Sequence, residues 1–240
     1  MAKVGSSASE AARPAARFAR TRRWCRRAIA ATIILLAAGY AGLEIALHRM
    51  GPVEIEASDA DSVVALDRNG RLLRAFTTSD GHWGLAVEPK DVDQRYIAML
   101  LAFEDRRFHS HPGVDAAAVA RAGGQLMRYG RIVSGASTLT MQVARLLEGS
   151  HERTASGKAR QMLRAIQLER QLSKDQILAL YLKLAPFGGN IEGVRAASLA
   201  YFGKEPRRLS LAEAALLVAL PQSPKMRRPD RFPESARRAR

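Results

Sequence analysis

Glu104-Asp-Arg-Arg-Phe-His-Ser-His-Pro-Gly-Val-Asp115 closes an apolar run in which Tyr96, Ile97, Leu100, Leu101 and Phe103 recur at helical spacing. With Asp91 or Asp93 as the cap, the spacing predicts a helix that ends near Glu104, before the His111-Pro-Gly113 turn. Glu104 then stands at a helix C-terminus, beside the negative end of the macrodipole and next to apolar side chains, a position that suits a proton acceptor. A solvated acidic pair at a frayed helix end is the plainer reading of the same residues.

The helical pattern continues outward from this segment. Ser173-Lys-Asp-Gln176 and Ser210-Leu-Ala-Glu213 both fit a capping box, each opening a long apolar helix that stops at Pro186 or Pro221, and Gly203 ends the helix between them. Ala, Leu, Met and Arg are abundant and β-branched runs are few, so residues 90–225 read as an almost entirely helical domain. Before it, Ser62-Val-Val-Ala-Leu66 and Arg71-Leu-Leu-Arg-Ala-Phe76 flank Asp67-Arg-Asn-Gly70 as a short β-hairpin within a linker over 48–89, with a second turn at Thr78-Ser-Asp-Gly81.

Three further groups have chemistry available to them. Ser134-Gly-Ala-Ser-Thr-Leu-Thr140 is a small-residue loop running into the apolar stretch Met141–Leu147, with Ser137 as the expected N-cap, and a helix start of this kind can receive an anion. Lys158, Arg160 and Arg164 form a basic face on the helix that follows Gly157, which read blandly is only a solvated surface. His109, His111 and Asp115 have the donor types of a zinc site, although His111-Pro-Gly is more simply a turn.

The chain has 240 residues, a formal net charge of +15 and a pI near 10.9, enough for one core of ordinary size plus appendages. Residues 1–27 carry eight basic residues against Glu10, a charge of +7, so nearly half the excess sits in a tail. Only Phe18 and Trp24 interleave with these arginines, which argues against stacked nucleic acid as the partner. Residues 28–47 explain the arginines better: about twenty predominantly apolar residues span a bilayer core, and Glu44 lies near their outer end, where a charge costs less. Arginines before the span and Glu54, Glu56, Asp59 and Asp61 after it put the N-terminus in the cytoplasm. Residues 28–38 could also serve as the h-region of a cleaved signal peptide, but the n-region is long and the apolar run passes any cut. Cys25, the single cysteine, falls on the cytoplasmic side, so the exported part has no disulfide.

Four strings in order resemble the motifs of the peptidoglycan glycosyltransferases of class A penicillin-binding proteins. Glu104-Asp105, Phe108, His111, Gly113 and Asp115 are similar to the first motif, E-D-x-x-F-x-x-H-x-G-x-D. Gly135-Ala-Ser-Thr-Leu-Thr-Met-Gln142 is similar to the second, Lys174–Leu182 to the fourth, and Tyr201-Phe202-Gly203-Lys204 to the end of the fifth. Met141, Gly157-Lys-Ala-Arg-Gln161, Ala185-Pro-Phe-Gly-Gly189 and Leu220-Pro-Gln-Ser-Pro224 resemble the 1C type within that family.

The resemblance implies a mainly α, lysozyme-like helical glycosyltransferase domain with a membrane-dipping subregion, one N-terminal transmembrane helix and a small β-hairpin linker. It implies Glu104 as general base in the polymerisation of lipid II, and Asp105, Ser137, Thr138, Thr140, Gln142, Lys158, Arg160 and Gln161 as substrate-binding residues. Lys158 matches the lysine of the third motif, R-K-x-x-E, whereas Gly157 and Gln161 replace its arginine and glutamate. No cofactor is certain: a divalent cation (Mg or Mn) carries over poorly without that glutamate, because Gln161 supplies no charge. Lys183 and Leu199 depart from the common asparagine and arginine of the fourth and fifth motifs. The expected partners are lipid II and the growing glycan strand, the bacterial inner membrane and other cell-wall synthesis proteins. A lysozyme-like lytic glycosidase and a catalytically degenerate cell-wall scaffold stand as alternatives. No Ser-x-x-Lys, Ser-x-Asn or Lys-Thr-Gly string occurs, so residues 226–240 read as a basic, proline-containing tail, where relatives go on to a transpeptidase domain.

Overall fold

The computed structural model describes residues 12–55, 62–69, 72–131, 135–149 and 154–240, with side chains from Trp24 onward except Cys25. The turn glycine Gly70, Ser134, the acidic residues Glu56, Asp59 and Asp61, the whole segment between Gly149 and Thr154, and the first eleven residues lie outside the described residues.

The chain divides into two units, residues 1–51 and 52–240. The first is built on α1 (Ala12–Arg49), in which Arg26–Arg49 contains an 18-residue window of mean hydropathy 1.9 and is long and apolar enough to cross a membrane. Ile33, Ile34, Leu35 and Leu36 stand exposed on it, as lipid-facing side chains would.

The second unit opens with the expected hairpin, β1 (Val64–Leu66) antiparallel to β2 (Leu72–Ala75), Val64 opposite Ala75. The Asn69 N–H donates to Asp67 Oδ1 at 2.8 Å, an Asx turn that explains the asparagine and aspartate between the strands. Strand β3 (Trp83–Gly84) runs parallel to β5 (Ile191–Glu192), which pairs antiparallel with β4 (Pro186–Gly188). The linker is thereby stitched to the helical part by backbone hydrogen bonds rather than tethered beside it.

Seven helices follow among the described residues: α2 (Gln94–Glu104), α3 (Ala116–Tyr129), α4 (Leu139–Leu147), α5 (Ala155–Gln171), α6 (Lys174–Leu184), α7 (Val194–Phe202) and α8 (Leu211–Ala219). Their boundaries are local in origin. Asp93, Asp115 and Thr154 cap α2, α3 and α5 with side-chain oxygens, and both capping boxes form, at Ser173 with Gln176 and at Ser210 with Glu213. Gly203 closes α7 in the left-handed region at φ 65°. Apolar faces of α2, α4, α5, α6 and α8 meet in one core through Tyr96, Leu100, Leu139, Val143, Leu168, Ile177, Tyr181, Leu182 and Leu217, all essentially inaccessible to solvent. Each such side chain contributes about 1.5–3 kcal/mol on burial.

A last short helix, α9 (Pro233–Ala239), lies within the stretch that reads from sequence as a basic tail. Ala236 is buried against the core, and arginine-rich surroundings hide that one small apolar contact from pattern reading. Helix α3 has the opposite character: only Ala118 and Ala122 are buried, while Leu126, Met127 and Tyr129 project outward, as does Phe103 at the end of α2.

The turn after α2 is held by one glycine that no other residue can replace. Gly113 has φ 91°, and a Cβ there would lie 2.6 Å from the Ala165 carbonyl oxygen of α5. Gly113→Ala is expected to destabilise the protein by about 1–3 kcal/mol from backbone strain alone, more if α5 is displaced. Urea unfolding of the two proteins measures it.

Candidate active site

Helix α2 ends at Glu104 because Asp105 leaves the helical region, at φ −158° and ψ 77°, while its N–H still bonds Leu101 O at 3.0 Å. The next helix to reach this point is α4, and the two are joined by their polar ends. Glu104 Oε2 accepts from Gln142 Nε2 at 2.8 Å, one turn into α4. Its other oxygen, Oε1, accepts from Gln222 Nε2 at 3.1 Å. Glu104 is half-buried, and its charge reaches the buried phenols of Tyr96 and Tyr181. Burial first, and the charge of Glu104 after it, hold the Tyr96 hydroxyl above the usual tyrosine range, and both hydroxyls are buried without a hydrogen-bond partner among the described residues.

Asp105 points the other way, into the protein, with 7% of its surface exposed. One carboxylate oxygen accepts the Leu139 N–H at 2.9 Å, and both lie 3.0 Å from His111 Nε2. The positive end of α4 is thus met by the protein's own anion. Thr138 is the N-cap, its hydroxyl oxygen accepting from Met141 N while its own proton goes to the Gly113 carbonyl at 2.5 Å. The expectation of an N-cap at Ser137 is therefore one residue early, and two of the helix-end N–H groups expected to receive a substrate anion are already taken.

Being displaced from the cap leaves Ser137 free for another partner. Lys158 Nζ donates to Ser137 Oγ and lies 3.4 Å from Gln161 Oε1. Burial, helped by the nearby charge of Arg145, holds the Lys158 ammonium below the usual lysine range. Of the nine residues singled out from sequence, two clusters therefore form around the first turn of α4: Glu104 with Gln142, and Ser137 with Lys158 and Gln161. Thr140 is fully buried, its hydroxyl donating to Glu169 Oε1 at 2.6 Å. Arg160 turns to Glu148 at 3.1 Å, together with Arg164 at 2.7 Å. Asp105, Thr138 and Thr140 thus shape the site from within.

The zinc-like trio does not assemble. His111 is engaged by Asp105, Asp115 caps α3 and pairs with Arg107, and the His109 ring lies edge-on to Phe108. A divalent cation fits the third-motif residues no better, since Gln161 is neutral and its amide oxygen already faces the Lys158 ammonium. Three residues of this network escape sequence reading: Gln222, Glu148 and Glu169. Gln222 lies in the quoted Leu220–Pro224 string, but nothing local marks it as a partner of a residue 118 positions earlier.

A family model described as Transglycosylase matches residues 69–240. The chain belongs to the transglycosylase family. Penicillin-binding protein 1C of Escherichia coli (strain K12) is 48% identical over 224 residues, which cover 92% of this chain and 28% of that protein. Penicillin-binding protein 1A of Pseudomonas aeruginosa is 44% identical over 134 residues, 56% of this chain and 16% of the relative. The match thus takes in 28% of the length of the first of these relatives and 16% of the second. Among solved structures, penicillin-binding protein 1A from Haemophilus influenzae aligns over 75% of this chain and 17% of its own, with a TM-score of 0.35 and 17% identity, too distant to add to the assignment.

Proposed function

We propose that this transglycosylase polymerises lipid II into β-1,4-linked glycan strands with release of undecaprenyl diphosphate. What carries the reading is the meeting of a proton acceptor and a half-buried cation at one helix start, Glu104 through Gln142 and Lys158 through Ser137. Glu104 takes the proton of the acceptor's 4-hydroxyl as that oxygen forms a bond to the donor's anomeric carbon, and the bond from that carbon to the diphosphate oxygen breaks. Attack from the opposite face inverts an α-linked donor into a β linkage, with no covalent intermediate on the enzyme. The Lys158 ammonium offsets the negative charge that grows on the departing diphosphate, and partial desolvation strengthens that attraction.

A lytic glycosidase of the lysozyme kind needs a second carboxyl group facing the sugar. Asp105, the adjacent acid, is buried against Leu139 and His111, which favours transfer over hydrolysis. The exposed Phe103, Leu126, Met127 and Tyr129 beside Arg128 and Arg131 support a subregion dipping into the bilayer, where the lipid-linked donor resides. With α1 across the inner membrane and its basic end in the cytoplasm, the site faces the periplasm.

Incubation of the full chain with purified lipid II, and separately with finished glycan, tests this function. Polymer from the first supports it, and fragments from the second alone would make the protein a lytic enzyme. The cation makes a further prediction. A lysine held below its usual value near 10.5 loses its proton sooner as pH rises, so polymerisation should fall off at a lower pH than an ordinary lysine dictates. Lys158→Arg, which stays charged, is expected to move that alkaline limb upward in a pH–rate profile.

A further inference from the structure

Glu104 has three rotatable side-chain bonds and stands at the end of a helix, so on its own it would sample several rotamers. Both of its oxygens are nevertheless held, and only one holder belongs to the motifs that flank the acid in sequence. The second is Gln222, on the single 3-10 turn Leu220–Gln222 that continues α8 through Pro221.

Three observations fix Gln222 there. Leu220 and Ala219, just before it, are buried, which pins the turn to the core. The chain then folds back, with the Met226 and Arg227 N–H groups both bonded to Ser223 O at 3.1 Å, and this returns Arg227 to the end of α8. Arg227 Nη1 donates to Ala219 O at 2.7 Å and to Gln222 Oε1 at 3.3 Å. The guanidinium is donor-only, so it selects the orientation of the Gln222 amide: oxygen toward Arg227, NH2 toward Glu104. Turned over, the amide would set its NH2 against the guanidinium and its oxygen against a carboxylate.

We propose that Gln222, oriented by Arg227, is a positioning residue for Glu104, and that the stretch after α8 thereby completes the catalytic apparatus. The inference rests on the reading of Glu104 as the base. Both holders of that carboxylate are neutral amides, Gln142 from one side and Gln222 from the other. An arginine or lysine in contact would lock the acid equally well but would favour its ionised form strongly and weaken it as a proton acceptor. By keeping its cation one residue away, the Arg227–Gln222 arm fixes the direction of the carboxylate without setting a positive charge against it.

The test is steady-state lipid II polymerisation by the full chain carrying Gln222→Leu, Arg227→Met, both, or Glu104→Gln. Gln222→Leu is expected to lower kcat by about 10- to 100-fold, the scale of a roughly 1 Å misplacement, with KM changed far less. Because Arg227 acts through Gln222, Arg227→Met should lower kcat by itself yet add little in the double variant. Arg227→Lys, which keeps a donor, should recover part of the loss. Equal thermal melting of the variants separates positioning from folding; Gln222 is exposed, so its side chain carries little of the core. Should Gln222→Leu fail to fold, Arg227→Met decides the question alone. Parent-like kcat in Gln222→Leu alongside an inactive Glu104→Gln overturns the positioning role and leaves the base in place. Full activity in Glu104→Gln removes the base, and this inference with it.

Discussion

Glu104→Gln is expected to slow lipid II polymerisation by about 10²- to 10⁴-fold, the contribution typical of a general base, while the protein stays folded. An amide has the shape of the carboxyl group but no basic oxygen that can take the acceptor's proton. Its NH2 would also meet one of the two donors that now hold Glu104, Gln142 Nε2 or Gln222 Nε2, so one hydrogen bond is lost. That costs on the order of 1 kcal/mol, small against a core of this size. Glu104→Asp keeps the base but withdraws it by one methylene from both amides, so its rate should fall between the two. Consumption of lipid II, with thermal melting as the control for folding, measures both variants. Polymerisation by Glu104→Gln at the parental rate would place the base elsewhere in the molecule.

The helical architecture is legible because its signals are local. Asp93, Ser173 and Ser210 cap the helices they precede in sequence, and Gly203 ends the helix before it, each within four residues of the groups it satisfies. The end of α2 at Glu104 follows from the same kind of signal. Errors arise where neighbouring residues compete for one task. Ser137 and Thr138 are both good caps, and only the fold shows that Thr138 takes the position, bonded at once to Met141 and Gly113, while Ser137 faces Lys158. The carboxylate of Asp105 reads from sequence either as half of a solvated acidic pair or, by resemblance, as a substrate-binding group, yet it is buried on the start of α4, 34 positions away. Strand β3, two residues long, owes its existence to pairing with β5 more than a hundred positions later, and no periodicity of its own announces it. Contacts of that separation, the Glu104–Gln222 bond among them, are what a reading by spacing and caps does not reach.

Asp105→Ala carries the largest expected effect on stability, because Asp105 fastens the end of α2 to the start of α4 from inside the protein. Removing the carboxylate orphans two buried groups together, the Leu139 N–H and His111 Nε2. At about 1–3 kcal/mol for each unsatisfied donor, the loss should reach roughly 2–6 kcal/mol, a large part of the total for a domain of ordinary stability. His111 has no second partner to fall back on: its Nδ1 is already buried without one among the described residues. Asp105→Asn separates charge from shape: its carbonyl oxygen can replace the carboxylate oxygen that meets both Leu139 N and His111 Nε2, but its NH2 then faces His111 Nε2 and the negative charge is gone, so it should lose about half as much. The activity of both variants should fall as well. Glu104 and Gln142 flank this fastening on the same two helices, and a small change in their separation breaks the 2.8 Å bond between them. Urea unfolding gives the first quantity and lipid II consumption well below the melting transition gives the second. A folded Asp105→Ala protein with parental stability would mean that the α2–α4 junction is held by packing of Tyr96, Leu139 and Val143 alone, with the buried carboxylate contributing nothing.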